Sequence, residues 1–192
     1  MPKLKRYYYH QEDVVQVARD LLGKTLCTRI DGKLTCGIIT ETEAYAGVND
    51  RASHAFGGRR TARNEIMYGK GGTSYVYLCY GLHHLFNVVT NKQGIPHAVL
   101  IRAIKPIKGI DTILKRRRQN ALAKNTAGGP GTVSQALGIS TKLNGEDLTG
   151  NKIWLQDDGL EVKEDQIIAG PRIGVDYAGK DAKLPYRFVL KL

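Results

Sequence analysis

The dipeptide Asp31-Gly32 separates two segments rich in β-branched residues, 25–30 and 33–45. Asp-Gly is favoured in the two-residue turn of a β-hairpin, because both residues tolerate a positive φ. The sequence therefore predicts an antiparallel hairpin in which Cys27 lies directly opposite Cys36. We expect these cysteines to be reduced thiols of an intracellular protein, with a labile cross-strand disulfide as the alternative.

The remaining pattern mixes strands and helices in an irregular order. Strands are predicted near 73–79, 85–90 and 97–104, and again at 153–155, 172–175 and 187–190. Apolar spacing predicts helices over 11–22 and 109–124, and a short helix is expected through residues 135–137. Clustered strands with helices at other points favour an α+β fold. The 192 residues are expected to form a single domain over 1–192, with 1–10 a loosely ordered N-terminal segment.

Residues 46–72 are rich in Gly, Arg, Asn and Ser. This composition predicts a long loop with short helical turns, and loops of this length in compact domains are usually functional. With its flanking strands, the loop places carboxylate, aromatic and cationic side chains within residues 39–87. Together these groups can stack a nucleobase and attack its sugar.

The charge balance is strongly basic, with 29 Lys and Arg against 18 Asp and Glu and a net charge of +11. A basic domain fits a polyanion, so nucleic acid is the first candidate partner and an anionic membrane surface the second. The alternative to a polyanionic partner is a soluble protein whose basic charge has no binding role. No apolar run approaches the roughly 18 residues of a membrane span, and the N-terminus lacks the apolar core of a secretion signal. We therefore expect an intracellular location.

No metal site is expected. Cys27, Cys36 and Cys79 form no C-x-x-C pair, so structural zinc is not predicted. The five His residues show no H-E-x-x-H or comparable spacing, and metal binding at the adjacent His83 and His84 has little support.

Strand parity brings together a candidate catalytic pair. Glu43 and Tyr45 point to the same face of the strand over 33–45, so a carboxylate and an aromatic ring line one pocket. Arg102 interrupts the apolar run Ala98–Ile104 and needs an anion if it is buried, because an unpaired buried charge is costly. Glu43 is the candidate partner, and the two side chains could hold a water molecule. The alternatives are an exposed strand charge for Glu43 and a purely structural ion pair for Arg102.

Other candidates lie on the strands around residue 80. Tyr75 and Tyr77 share a face, which for a strand usually means core packing. Tyr80 lies beside Gly81 at a probable hairpin tip, where an exposed aromatic group on a basic protein can act as a wedge between base pairs. Asn87 is a polar residue in an apolar strand, either a satisfied core amide or a pocket group that contacts or excludes a substrate edge.

The combined motifs resemble one enzyme family. The resemblance is carried by twelve short motifs: Glu41-Thr42-Glu43-Ala44-Tyr45, His54, Gly58-Arg59, Arg63-Asn64, Tyr75-Val76-Tyr77, Tyr80-Gly81, Asn87, Leu100-Ile101-Arg102-Ala103, Gly129-Pro130, Gln135-Ala136-Leu137, Arg172-Ile173-Gly174 and Arg187-Phe188. Together they are similar to the alkyladenine (3-methyladenine) DNA glycosylase family, from about residue 11 to the C-terminus. The resemblance implies a single mixed domain with a curved antiparallel β-sheet and flanking helices.

The resemblance also implies roles for individual residues. Glu43 would be the general base that activates water, and Arg102 would help to position that water. Tyr45 and Tyr77 would sandwich a flipped base, with His54 at its edge, and Asn87 would crowd the 2-amino group of guanine. Tyr80 would fill the gap in the DNA stack. Leu82, at a position where better-known relatives have Met, would wedge beside it. Arg59, Arg63 and Asn64 would face the DNA backbone.

The implied activity is hydrolysis of the N-glycosidic bond of damaged purines in double-stranded DNA, by a monomer with no cofactor. Alkylated purines are the expected substrates, and hypoxanthine and ethenoadenine are further candidates. No Lys stands out as a Schiff-base nucleophile, so an intact abasic site is the expected product. The product would enter base excision repair.

Two other interpretations remain open from the sequence. Residues 129–137 are faintly similar to a helix-hairpin-helix, which would make the chain a glycosylase of another scaffold with Asp147 as its nearest suitable acid. A non-catalytic nucleic-acid-binding protein would explain the charge but not the Glu43 and Arg102 pattern. The basic run Lys115–Arg118 is interpreted as a solvated helix face in preference to a phosphate contact.

Overall fold

The computed structural model describes residues 2–191, and all helix and strand bounds refer to that range. The strands are β1 Thr25–Ile30, β2 Lys33–Tyr45, β3 Ser74–Cys79, β4 His83–Thr90, β5 His97–Lys108, β6 Ile153–Gln156, β7 Ile167–Gly170 and β8 Arg187–Leu190. The α-helices are α1 Arg6–Tyr9, α2 Val14–Asp20, α3 Ile110–Arg117 and α4 Pro130–Leu137. The strands form one antiparallel sheet in the order β3-β4-β5-β2-β1-β6, with β8 joining β2 to β7.

The predicted hairpin is confirmed as β1 and β2. Asp31 and Gly32 both have positive φ, 50° and 72°, and Cys27 pairs with Cys36 in the register. The two cysteines form a disulfide, so the expectation of reduced thiols is wrong and the cross-strand alternative is correct. Their Cα atoms are 4.2 Å apart because directly opposed residues in an antiparallel ladder approach closely.

Strand β2 carries the curvature of the sheet. Its first half pairs with β1 and its second half with β8, while β5 pairs with its other edge over nearly its full length. The β2–β5 register shifts twice around Glu41, and bulges of this kind bend a strand and redirect its side chains. The predicted α+β class with a curved antiparallel sheet is confirmed.

The main core lies between one face of the sheet and the helices. Helix α2 packs on β2 and β5, and α4 packs on β4 and β5. Their inward residues are fully buried, among them Val17, Leu21, Val133 and Leu137. Asp13 caps α2 by accepting hydrogen bonds from the backbone of Val15 and Gln16. The opposite face of β2 carries polar groups, including Glu41 and Glu43.

Several predicted bounds are wrong. The expected loose order over 1–10 is contradicted for residues 2–10, because α1 forms there and Tyr9 is fully buried. The predicted helix over 109–124 ends at Arg117, since Arg118 has a positive φ of 52°. Residues 172–175 are irregular, and the strand lies earlier, in β7. Burial of Tyr9 orders the N-terminal segment, and residues with a positive φ, Arg118 and Gly174, interrupt the predicted helix and strand.

The loop over 46–72 has the predicted short helical turns, at Gly47–Asn49, Phe56–Gly58 and Glu65–Tyr68. Its residues Ala55, Met67 and Tyr68 form a second small core with Tyr75 of β3, Val89 of β4 and Ala98 of β5. In the described part of the chain, no helix has the length and apolarity needed to cross a bilayer.

Candidate active site

Two hydrogen-bond donors and one cation converge on the carboxylate of Glu43 near the end of β2. The backbone N–H of Ile173 donates to Oε1 at 2.8 Å, the Tyr45 hydroxyl donates to Oε2 at 2.9 Å, and Arg102 Nη1 lies 3.3 Å from Oε1. The side chain has 0% exposure. Parity along β2 places Glu43 and Tyr45 on one face, as predicted, and Arg102 reaches them from the neighbouring strand β5.

Arg102 is shared between two carboxylates. Its Nε donates to Glu41 Oε1 at 2.9 Å, closer than its contact with Glu43, and Arg187 Nη1 donates to the same Glu41 oxygen at 3.0 Å. Glu41 therefore holds both cations beside Glu43. The predicted Arg102–Glu43 pair exists, but Glu41 is the stronger partner of Arg102, and it lies on the same face of β2 as Glu43.

Burial raises the pKa of the Glu43 carboxyl above its ordinary value, against the opposing effects of Arg102, the Ile173 N–H and the Tyr45 hydroxyl; nearby Glu41 raises it further. Burial and the adjacent Glu43 also raise the pKa of the Tyr45 hydroxyl well above its ordinary value, so that hydroxyl stays protonated and donates. A carboxylate destabilised by burial is a stronger proton acceptor than a solvated one.

An aromatic cavity of about 440 Å³ opens in front of this carboxylate. Tyr45, Arg102 and Ile173 line it, while Glu43 lies directly behind them. The other wall is an aromatic cluster in which Tyr77 lies 5.2 Å from Tyr75 and 4.8 Å from His54 between ring centroids. The volume and the π-faces suit a planar heterocycle.

His54 enters the cavity from the long loop. Its Nδ1 lies 2.8 Å from the Tyr75 hydroxyl, and burial together with Arg63 and Arg59 lowers its pKa to about 4. The imidazole is therefore neutral at physiological pH, and it can both donate and accept hydrogen bonds. Tyr75 is 1% exposed and packs in the small core, as predicted, and its hydroxyl also orients His54.

Asn87 lies in the cavity wall on β4 with only 3% exposure. Its Nδ2 donates to the Tyr75 carbonyl at 3.2 Å and the Leu85 carbonyl at 3.4 Å. These bonds fix the amide plane against the cavity. Asn87 therefore fits both interpretations made from the sequence: its amide is hydrogen-bonded like a core amide, and it also lines the pocket.

The hairpin between β3 and β4 projects Tyr80 and Leu82 into solvent beside the cavity mouth. Tyr80 is 92% exposed and Leu82 77% exposed. Tyr80 and Gly81 both have positive φ, and the Leu82 N–H donates to the Cys79 carbonyl, which makes a tight turn. A strained, fully exposed aromatic residue at a tip has no packing role in the isolated chain.

The basic segment 59–64 divides into two environments. Arg59 is exposed, and the Arg63 guanidinium lies 4.9 Å over the Tyr77 ring at the cavity. Asn64 is 2% exposed and donates to the carbonyls of His54 and Arg59, both at 2.9 Å. The expected direct contact of Asn64 with DNA backbone is therefore corrected, because its side chain is used to hold the loop.

The other basic run and the acid of the alternative scaffold are structural. Arg116 donates to the carbonyl of Ala136 and Arg117 to the side chain of Gln135, which ties α3 to α4. Both arginines are half-buried, so the face predicted to be solvated is only partly solvated at these two positions. Asp147, the acid of the alternative scaffold, accepts from the backbone and hydroxyl of Thr149, at 2.8 and 2.7 Å, and is paired with Arg6. It lies away from the cavity and is committed to these partners.

The sequence model of one family matches residues 8–192, and that family is described as methylpurine-DNA glycosylase. The chain belongs to this family. The methylpurine-DNA glycosylases are DNA glycosylases, so the chain is a hydrolase of N-glycosyl bonds that acts on DNA. The resemblance drawn from the sequence is confirmed.

Relatives of this glycosylase cover its full length. A protein of Carboxydothermus hydrogenoformans is 49% identical over 98% of this chain and 95% of its own length. A protein of Chlamydia felis is 46% identical over 98% of this chain and 96% of its own. A protein of Methanocella arvoryzae is 46% identical over 98% of this chain and 92% of its own length. All three carry the name "Putative 3-methyladenine DNA glycosylase".

Membership in this glycosylase family removes both competing interpretations, the helix-hairpin-helix scaffold and the non-catalytic binding protein. The site also uses Glu41, which was not selected as a site residue although its parity with Glu43 could have indicated it. The Ile173 N–H had no detectable signal, since a backbone donor 130 residues away in the chain depends on the fold.

Proposed function

We propose that this glycosylase is a monofunctional hydrolase that extrudes damaged purines from duplex DNA into the aromatic cavity and cleaves their N-glycosidic bond with a Glu43-activated water. The observation that carries the proposal is a fully buried carboxylate directly behind a cavity of nucleobase size, held by two hydrogen-bond donors and by an ion pair with Arg102. Such a group has no stabilising role that an apolar residue could not fill at lower cost.

The proposed reaction is a hydrolytic displacement at the sugar carbon. The water oxygen forms a bond to C1′ of the sugar while the bond from C1′ to the purine nitrogen breaks, and its electron pair leaves with the base. Glu43 accepts a proton from the water and stabilises the oxocarbenium-like sugar. Arg102 lies 3.3 Å from Glu43 and would orient the water. Alkylated purines already carry positive charge, so they leave without protonation.

Recognition of the base follows from the cavity walls. Tyr45 and Tyr77 would stack the flipped purine, and a cationic purine gains extra attraction from electron-rich Tyr faces. Neutral His54 would contact the base edge, and Asn87 would oppose the 2-amino group of guanine. Hypoxanthine and ethenoadenine are neutral lesions that would depend on the His54 hydrogen bond more strongly than alkylated bases.

Extrusion from the duplex requires a substitute for the missing base. Tyr80 would enter the stack, with Leu82 beside it, while exposed Arg59 and Arg63 would contact phosphates. Unstacking costs a few kcal/mol and is cheapest at damaged pairs, which contributes selectivity. We further propose that the protein works as a monomer on DNA inside the cell.

The test uses duplex DNA treated with a methylating agent, together with duplexes that carry one hypoxanthine or one ethenoadenine. Released bases are separated by chromatography, and strands are analysed before and after hot alkali. The proposal predicts release of 3-methyladenine and strand scission only after alkali. Scission without alkali would show lyase chemistry, and the absence of any released base from methylated duplex would refute the proposed activity.

A further inference from the structure

A buried ion pair outside the proposed reaction chemistry ties both walls of the site together. Arg172 and Asp50 lie 122 residues apart in the chain and form a bidentate pair, with Nη1 2.5 Å from Oδ2 and Nη2 2.8 Å from Oδ1. The side chains are 0% and 2% exposed. No site role was predicted for either residue from the sequence, and neither lines the cavity.

Asp50 organises the loop that carries the base-edge residues. Its Oδ2 accepts from the Ala46 N–H and its Oδ1 from the Ala52 N–H, both at 3.0 Å. These bonds fold residues 46–52 back on the end of β2, and Ala52 and His54 then line the cavity. The carboxylate therefore sets the position of this wall.

Arg172 organises the opposite side. Its Nη1 also donates to the Ala44 carbonyl at 2.8 Å, and its guanidinium lies 4.9 Å over the Tyr45 ring. The next residue, Ile173, presents the N–H that donates to Glu43. Both hydrogen-bond donors to Glu43 therefore belong to residues that Arg172 holds: it packs on the Tyr45 ring and precedes Ile173 in the chain.

We propose that the Asp50–Arg172 pair is a positioning element for the reaction, which holds Ile173 N–H and the Tyr45 hydroxyl on the Glu43 carboxylate and fixes the loop carrying His54. This inference rests on the proposed function for its kinetic consequence. Apolar packing is often at least as stable as a buried ion pair, so stability alone does not account for this one. Its contacts with the Ala44 carbonyl, the Tyr45 ring and the loop at Ala46 and Ala52 are what favour a positioning role.

The test compares Arg172→Lys with Arg6→Lys in the full chain. Both remove a guanidinium fork and keep the charge. Arg6 bonds to the Gly71 carbonyl at 2.8 Å and pairs with Asp147, far from Glu43, so it reports the general cost of losing a fork. Asp50→Asn is the second variant and weakens the pair from the other side.

Two measurements separate positioning from stability. Single-turnover excision from a hypoxanthine duplex gives the chemical step, and binding to a duplex with a tetrahydrofuran abasic analogue gives affinity. We expect Arg172→Lys to slow excision by about 10- to 100-fold, the scale of a misplaced catalytic group, with affinity changed less than about threefold. We expect Arg6→Lys to leave both near the wild-type values, and Asp50→Asn to follow Arg172→Lys.

A readout independent of activity is the pKa of Glu43, followed by carbon-13 NMR of its side-chain carboxyl. The charged and titratable groups around Glu43 are Glu41 and Tyr45 on β2, Arg102 on β5, Arg187 on β8, which acts through Glu41, and Arg172 itself. In Arg172→Lys the N–H and hydroxyl donors loosen while the net charge stays constant, so the Glu43 pKa should rise relative to wild type.

The outcomes are distinguishable. Slower excision at retained affinity with a raised Glu43 pKa supports positioning. The proposal is overturned if Arg172→Lys and Arg6→Lys lose activity only in proportion to their unfolded fractions and the Glu43 pKa stays at its wild-type value. An inactive wild type refutes the proposed function, and the NMR titration still decides whether the pair positions Glu43.

Discussion

The Tyr45 hydroxyl donates a 2.9 Å hydrogen bond to Oε2 of Glu43, two residues earlier on the same strand. The contact joins a residue that lines the base cavity to the carboxylate behind it. A base that stacks on the Tyr45 ring is therefore mechanically connected to the group that would activate water. In the proposed function, base stacking and water activation would therefore rest on two side chains that are two residues apart on one β-strand.

Replacement of Glu43 by Gln should stabilise the protein at neutral pH. The pKa of Glu43 is raised by burial, so ionisation costs folding free energy as pH rises from the ordinary Glu range through the raised value. Below about pH 4 both states are protonated, and the two proteins should differ little. Calorimetry at pH 4 and pH 8 checks this. In a chain of this size the melting temperature should rise by about 2–4 °C for each kcal/mol gained in the free energy of unfolding. A less stable Glu43→Gln at pH 8 would contradict the argument.

His54 should make the wild type sensitive to acid. Its pKa is lowered to about 4, so its contribution to stability is present above pH 6.5 and is lost as pH falls through about 4. His54→Gln keeps a hydrogen-bonding group but has no proton to bind. We expect urea unfolding to show that the free energy of unfolding falls between pH 7 and pH 4 in both proteins. The fall should be on the order of 2–3 kcal/mol larger in the wild type than in this variant, allowing for partial exposure of His54. Equal losses would mean that His54 titrates normally.

Tyr80→Ala should weaken binding to damaged duplex by about 1–3 kcal/mol, or about 5- to 150-fold, because an aromatic stacking group is removed. The folded protein should be unaffected, since Tyr80 is 92% exposed. Excision from single-stranded DNA, which needs no wedge, should change little. Tyr7→Ala is a suitable control because Tyr7 is 74% exposed on α1, outside the cavity lining. Equal losses on duplex and single strand would argue against intercalation.

Thiol titration tests the disulfide. The Cys27–Cys36 pair leaves Cys79 as the free thiol, so unreduced protein in denaturant should react with one equivalent of a thiol reagent. Reduced protein should react with three, and Cys79→Ser with none before reduction. Three equivalents in unreduced protein would restore the expectation of free thiols.

Local rules predicted the elements that depend on neighbouring residues. The Asp31-Gly32 turn, the shared face of Glu43 and Tyr45, and the exposed tip at Tyr80 follow from turn chemistry and strand periodicity. Arg102 could be predicted to need an anion, although its closer contact with Glu41 depends on the bulged register of β2 and β5.

Long-range contacts were beyond the sequence. The Ile173 N–H, the Asp50–Arg172 pair and the buried position of Asn64 arise where irregular segments meet, and no periodicity encodes them. The same limit explains the N-terminal error, since α1 is short and is held by burial of Tyr9 and by the Arg6–Asp147 pair. A short helix of this kind is stabilised by tertiary packing, which local propensity does not report.

The most direct measurement is single-turnover excision of hypoxanthine and of 3-methyladenine from duplex DNA by wild type, Glu43→Gln and Glu164→Gln. Glu164 is a matched control because it is an exposed carboxylate paired with Arg19, outside the cavity lining. We predict a loss of about 10²- to 10⁴-fold in Glu43→Gln with damaged-duplex binding retained, and wild-type rates in Glu164→Gln. Excision by Glu43→Gln at the wild-type rate would contradict the assignment of Glu43 as the group that activates water.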